Sequence, residues 1–278
     1  MPMSLEFEAR LHPHLRKIVE RYGTPFHIYD EQGIRDTARA MNEAFAGCPD
    51  YRNFFAVKAL PNPDIMKILF EEGFGFDCSS IPELVLSRVL KAGRDDIMFT
   101  SNNTMPHEFD AAFANSGCIL NLDDVTLIDK MPQLPEVLCF RYNPGKARSG
   151  NAIIGEPQEA KYGITDDQVI DAYRRGLELG VKRFGIHTMI VSNERDFREL
   201  LKTVQMMLQL AALLYEELGI KLEFANIGGG VGIPYQPTQE SFNLTALGKL
   251  SAGVFEKFEK DFGKNSKCWG NFFRKLFT

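Results

Sequence analysis

The sequence predicts an α/β fold, a (β/α)₈ barrel of the TIM type, on three observations. Short apolar runs rich in β-branched and aromatic residues alternate with segments of 3.6-residue periodicity, and the first five runs start about 20 residues apart. The runs are continuously apolar, as strands of a parallel sheet covered by helices must be. The length, 278 residues, suits one barrel of roughly 250. No Gly-x-Gly-x-x-Gly opens the first unit, as an open dinucleotide-binding sheet would require.

The elements follow in order. Gly23-Thr24-Pro25 is a turn signal, and Phe26-His27-Ile28-Tyr29 reads as a lone strand whose partner lies outside the barrel. Seven barrel strands come next, at 53–57, 73–78, 97–101, 117–122, 137–142, 183–190 and 222–227. Asn62-Pro63 caps and opens a helix that stops near Gly73. Ser79 or Ser80, with Pro82 and Glu83, opens another that stops near Gly93. The longest helix covers about 193–218, with Leu200, Leu201, Val204, Met207, Leu208, Ala211 and Leu214 on one face. An eighth strand is due near residue 264, but 264–278 reads poorly as one, so the barrel is expected to be incomplete there.

Composition narrows the function classes. With 44% apolar and 25% charged residues the chain is an ordinary globular one, and its net charge of −5 offers no basic surface for nucleic acid or membrane. No apolar run reaches the ~18–20 residues that span a bilayer, and the first residues lack a signal-peptide pattern. A cytoplasmic protein is expected. Its five scattered cysteines, Cys48, Cys78, Cys118, Cys139 and Cys268, read as buried, reduced thiols, with no metal-ligand spacing.

Active sites of such barrels gather at the C-terminal ends of the strands. Lys58 ends the first strand. An amine held there in apolar surroundings loses its proton and suits Schiff-base chemistry, or else it snorkels to water. Asp77 ends the second, where it either orients a lysine or caps the next helix. Asn102 and Asn103 follow the third. Arg141, before Tyr142 and Asn143, needs a carboxylate or an anionic ligand. Period-2 alternation puts Gly185, His187 and Met189 on one face of the sixth strand, His187 being a hydrogen-bonded core residue or a catalytic one. Gly228-Gly229-Gly230 follows the seventh, and a triple glycine at that place points to phosphate binding.

Together these motifs resemble the fold-type III pyridoxal-phosphate decarboxylases, whose barrel is alanine racemase-like, and among them the diaminopimelate decarboxylases. The motifs are Tyr22-Gly23-Thr24-Pro25 with Tyr29, Ala56-Val57-Lys58-Ala59, Phe76-Asp77-Cys78-Ser79-Ser80, Arg141-Tyr142-Asn143-Pro144-Gly145, Lys161-Tyr162-Gly163 and Asn226-Ile227-Gly228-Gly229-Gly230. The resemblance implies a pyridoxal 5'-phosphate enzyme that decarboxylates an amino acid, meso-diaminopimelate to L-lysine. Alternatives are a carboxynorspermidine- or ornithine-type decarboxylase, or a non-catalytic cofactor-binding barrel. It implies catalytic roles for Lys58, Asp77 and His187, with Lys58 carrying the cofactor as an imine. Arg141, His187, Met189, Ser192, Gly228, Gly229 and Gly230 would also bind cofactor, and Tyr235 would lie by the same loop.

Two departures from the family accompany the match. Met189 stands where a ring-stacking histidine is usual, so either Met189 or His187 faces the ring. Asn271-Phe272-Phe273-Arg274 stands where the family has Glu-x-Gly-Arg, whose glutamate keeps the pyridine nitrogen protonated. By the same resemblance, residues 1–29 form a segment and strand that would join a C-terminal β-domain, lacking here. Residues 30–278 form the cofactor-binding barrel, with 264–278 an atypical tail. The full-length family is a homodimer, and truncation with impaired activity is expected of this chain.

Overall fold

The structure, a computed structural model, describes residues 3–150, 153, 155–236, 238–263 and 275–277. Three helices precede the sheet, α1 (Leu5–Leu11), α2 (Leu15–Tyr22) and α3 (Glu31–Ala44). Then β1 (Phe54–Ala56), α4 (Pro63–Glu71), β2 (Gly75–Cys78), α5 (Ile81–Val89), β3 (Ile97–Phe99), α6 (Pro106–Phe113) and β4 (Ile119–Leu122) alternate. A 3₁₀ segment, Val125–Lys130, takes the helix position before β5 (Val137–Tyr142). The rest is α7 (Asp166–Leu179), β6 (Arg183–Thr188), α8 (Phe197–Leu218), β7 (Leu222–Asn226), α9 (Leu244–Gly263) and β8 (Lys275–Phe277).

All the ladders are parallel and follow chain order from β1 to β8. Seven strands curl as the barrel of the expected fold. The eighth position holds three residues on β7, and no ladder among the described residues joins β8 to β1. Cys268 and the tetrapeptide Asn271–Arg274 lie outside the described residues.

Pleating sorts each strand into two faces. Outward residues such as Phe76, Phe99, Leu120, Phe140 and Ile186 join Leu84, Phe109, Tyr173 and Met207 of the helices in the main core. Each such side chain contributes roughly 1.5–3 kcal/mol by leaving water. Inward residues Phe54, Met98, Ile119, Val137, Cys139 and Phe224 form a separate dry floor inside the barrel. At the floor's far end Arg183 is paired with Glu223 at 2.6 Å and with Glu136, which also meets Arg94. Cys48, Cys78, Cys118 and Cys139 are buried and unpaired.

Two boundaries move for local reasons. The longest helix starts at Phe197, not 193, because 193–196 is claimed by the chain after β7. Glu194 donates to the Gly230 carbonyl (2.8 Å) and accepts from the Gly232 amide (2.7 Å), and Asp196 then caps α8 through the Arg198 amide. The segment Phe26-His27-Ile28-Tyr29 joins no ladder among the described residues. It is tethered instead by Asp30, whose carboxylate takes two bonds from Arg10 of α1, at 2.6 and 2.7 Å.

Helix α9 closes against α3 through one small residue, since a Cβ on Gly248 would overlap the Ala44 carbonyl. Gly248→Val is expected to lower unfolding stability by about 3 kcal/mol or more, through overpacking. Gly253→Ala in the same helix meets nothing within 4 Å and is expected to raise it by up to about 1 kcal/mol. Urea denaturation midpoints check both, and equal effects would contradict the packing assignment.

Candidate active site

Above the dry floor the inward positions turn polar. Two residues beyond Met98, Ile119, Cys139, Gly185 and Phe224 stand Thr100, Asn121, Arg141, His187 and Asn226, and Asp77 of β2 stands in register with Met98. Buried polar groups must satisfy one another, and these do so in a chain. Thr100 Oγ1 donates to Asp77 Oδ1 at 2.9 Å, and Asn121 Nδ2 lies 3.2 Å from Thr100 Oγ1 and 3.0 Å from His187 Nδ1. Asn121 is 1% exposed and its Oδ1 has no partner among the described residues.

Burial decides the charges. Desolvation raises the Asp77 carboxyl to about 6, although the Thr100 bond and the Lys58 and Arg141 charges pull it down. His187 is pushed to about 3 by desolvation first, then by Arg141 and Lys58, and is therefore neutral at ordinary pH. Asp77 does not cap α5. That task falls to Glu83, which accepts from the Ser79 amide (2.9 Å) and the Ser80 hydroxyl (2.7 Å).

Lys58 sits just past β1, in a single 3₁₀ turn, and is exposed. The expected desolvation at an apolar strand end is therefore not what the fold provides. The lysine opens instead on a cavity of about 490 Å³, which Asn102, Arg141, Met189 and Ser192 also line. Of the two partners weighed for Arg141, the carboxylate is present. Its Nη1 lies 3.3 Å from the buried Asp123 carboxylate, and its guanidinium covers the Tyr162 ring at 4.9 Å while facing the cavity. Asn143 pins the cavity wall, donating to the Pro157 and Tyr162 carbonyls, both at 3.0 Å.

Gly228, Gly229 and Gly230 all take positive φ, +79°, +75° and +88°. Three such residues in a row exclude side chains on conformational grounds alone. A Cβ at Gly228 would strike the Thr188 carbonyl and one at Gly230 the Val191 carbonyl, whereas Gly229 faces open space. The loop thus lies against the backbone between His187 and Ser192, hung from the polar layer by a 2.8 Å bond from the Gly228 amide to Asn226 Oδ1. Tyr235 is exposed, its amide held by Gln239 at 2.7 Å.

The sequence-predicted residues therefore divide. Lys58, Arg141, Met189 and Ser192 share the cavity, Asp77 and His187 lie in the polar layer within electrostatic reach of Lys58 and Arg141, and the glycines back the segment that forms one wall. Thr100, Asn121 and Asp123 were not anticipated. The inward parity of the strands could have found Thr100 and Asn121, each two residues past a floor residue.

Comparisons with known proteins agree with this arrangement. The pyridoxal binding domain of the pyridoxal-dependent decarboxylases matches residues 31–266. Protein TabA of Pseudomonas amygdali pv. tabaci is 40% identical over 88% of this chain and 58% of its own length. The diaminopimelate decarboxylase of Thermoplasma acidophilum is 33% identical over 87% of this chain and 60% of its own. The chain thus spans about three-fifths of these relatives. Diaminopimelate decarboxylase from M. jannaschii superposes with a TM-score of 0.81 at 21% identity, covering 94% of this chain and 62% of that one, a likeness of fold. With a family match over most of its length, on the fold and around the residues just described, the chain belongs to the pyridoxal-dependent decarboxylases through their pyridoxal-binding domain, and its cofactor is pyridoxal phosphate.

Proposed function

We propose that the cavity bordered by Lys58 holds pyridoxal phosphate and serves the decarboxylation of an amino acid, meso-diaminopimelate in the first instance. The observation that carries the reading is the convergence of Lys58, Arg141, Met189 and Ser192 on one cavity above a buried polar layer. Its volume, about 490 Å³, suits a small cofactor with an amino acid. The diaminopimelate assignment rests on the curated relatives of that name at 29–33% identity.

The residues fit the cofactor on one structural point. The left-handed glycine loop leaves open space over Gly229, as a backbone approached closely by a phosphate must. Lys58 would hold the cofactor covalently, the glycines and Ser192 would take its phosphate, and Arg141 would face an anionic group. When bound, the cofactor supplies a ring that accepts the electron pair left as CO₂ departs.

This chain's residues prepare that event. Asp77, ionised above about pH 6, sets a negative charge within reach of the Lys58 amine. His187, neutral and buried beneath, adds no opposing charge. Met189 lines the cavity whereas His187 is 6% exposed, so the soft thioether of Met189, not His187, would be the side chain to face the cofactor ring.

Titration of the chain with pyridoxal phosphate tests the reading. A protein-bound absorption band that borohydride removes, and that Lys58→Ala never forms, is the expected result. Addition of meso-diaminopimelate should perturb the band at concentrations at least tenfold below those of L-ornithine or L-lysine. No band would overturn the site, an ornithine preference the substrate, and indifference to every amino acid would favour a non-catalytic barrel.

Asp77 also has a measurable cost. Its native pKa, about 6, lies above the ordinary 3.8, so burial favours the protonated form. Stability is therefore full below about pH 4, is lost as pH rises to about 6, and stays lost above. Asp77→Asn is expected to stabilise the cofactor-free chain by roughly 1–3 kcal/mol at pH 7.5 and by almost nothing at pH 4. Urea unfolding at the two pH values checks the sign, and a pH-independent difference would contradict it.

A further inference from the structure

Asn121 touches neither Lys58 nor the cavity, yet it lies at the centre of the polar layer. Its Nδ2 faces two atoms, Thr100 Oγ1 at 3.2 Å and His187 Nδ1 at 3.0 Å. A threonine hydroxyl has one proton, and Thr100 directs its own at Asp77 Oδ1, 2.9 Å away. Toward Asn121 the Thr100 oxygen can therefore only accept, so the atom facing it must be the amide nitrogen. The reversed amide would set oxygen against oxygen with no proton between them, and would leave an NH₂ group buried without an acceptor. With one amide hydrogen on Thr100, the other meets His187 Nδ1, which must accept.

We propose that Asn121 is a positioning residue that holds His187 as the neutral tautomer protonated on Nε2 and, through Thr100, fixes the order of protons up to Asp77. The donors run outward in both directions from one amide, to His187 on one side and through the Thr100 hydroxyl to the Asp77 carboxylate on the other. A proton on His187 Nδ1 would face a donor, so the imidazolium is excluded by geometry as well as by its surroundings. Arg141 on β5 and Lys58 beyond β1 add positive charge toward His187, and Lys58, Arg141 and Glu83 of α5 act on Asp77. The inference deepens the reading of Asp77 and His187 as site residues, but it concerns the cofactor-free chain.

The test is imidazole ¹⁵N spectroscopy of the full chain labelled at histidine, with His187 assigned by its loss in His187→Gln. Wild type is expected to show His187 as the Nε2–H tautomer throughout pH 5–8. Asn121→Asp presents an acceptor to Nδ1, so the proton should move to Nδ1 and the titration midpoint should rise by at least two pH units. Asn121→Ala, a smaller change for folding, should leave His187 a mixture of both tautomers. Thr100→Val removes the acceptor that fixes the amide, so His187 should become a mixture of both tautomers, and the Asp77 midpoint, read from its carboxyl ¹³C shift, should rise above about 6 because the carboxylate loses its donor.

An Nδ1–H signal in wild type, a midpoint near 6.5, or an unchanged tautomer in both Asn121 variants would overturn the proposal. None of these readouts involves pyridoxal phosphate. Failure of cofactor binding at Lys58 would therefore count against the proposed function and leave this inference standing, and the converse also holds.

Discussion

Buried polar side chains resting on a dry floor can be satisfied only by one another, and that constraint organises this barrel. The floor of Phe54, Met98, Ile119, Val137, Cys139 and Phe224 keeps the lower half of the interior apolar. Above it the next inward residues are polar, Thr100, Asn121, Arg141, His187 and Asn226, and hydrogen bonds join Asp77, Thr100, Asn121 and His187 across this ring of strands. Each carries a group that costs roughly 1–3 kcal/mol if left unpaired. The hydrogen-bond chain from Asp77 to His187 is thus a condition of folding before it is a device for chemistry. The same burial raises the Asp77 carboxyl to about 6 and keeps His187 uncharged.

From that ring the site is built outward. Asn226 continues the polar layer into the glycine loop through the Gly228 amide, and the loop fixes the segment that carries Met189 and Ser192. On the opposite side Asn143 and the Arg141–Tyr162 contact set the wall of the cavity. Lys58 is the exception. It stands exposed on a one-turn helix, placed by the end of β1 and not by packing of its own. A side chain left free in this way can meet an incoming aldehyde, whereas the fixed groups around it determine how a bound molecule lies.

Much of this was legible in the residues, for identifiable reasons. The strands announced themselves because both faces are covered, one by helices and one by the floor, so each run is mostly apolar up to the polar residues near its C-terminal end. Asn62 and Ser80 marked helix starts because their side chains meet the helix's own first turn. The roles of Thr100 and Asn121 were hidden, since a polar residue in a strand declares neither its height in the barrel nor its partners. The start of α8 was misplaced because Glu194 is captured by Gly230 and Gly232, far along the chain. Helices α1 and α2 bury no residue, and so left no core-facing pattern to read.

The central claim is that the cavity beside Lys58, backed by the glycine loop and seated on the polar ring, is where pyridoxal phosphate lies. A crystal structure of the chain grown with pyridoxal phosphate measures this directly. The account predicts the phosphate within hydrogen-bond distance of the Gly229 and Gly230 amides and the ring between Lys58 and Met189. A phosphate bound elsewhere, for example beside Arg148 and Lys202, with Lys58 free, would contradict it.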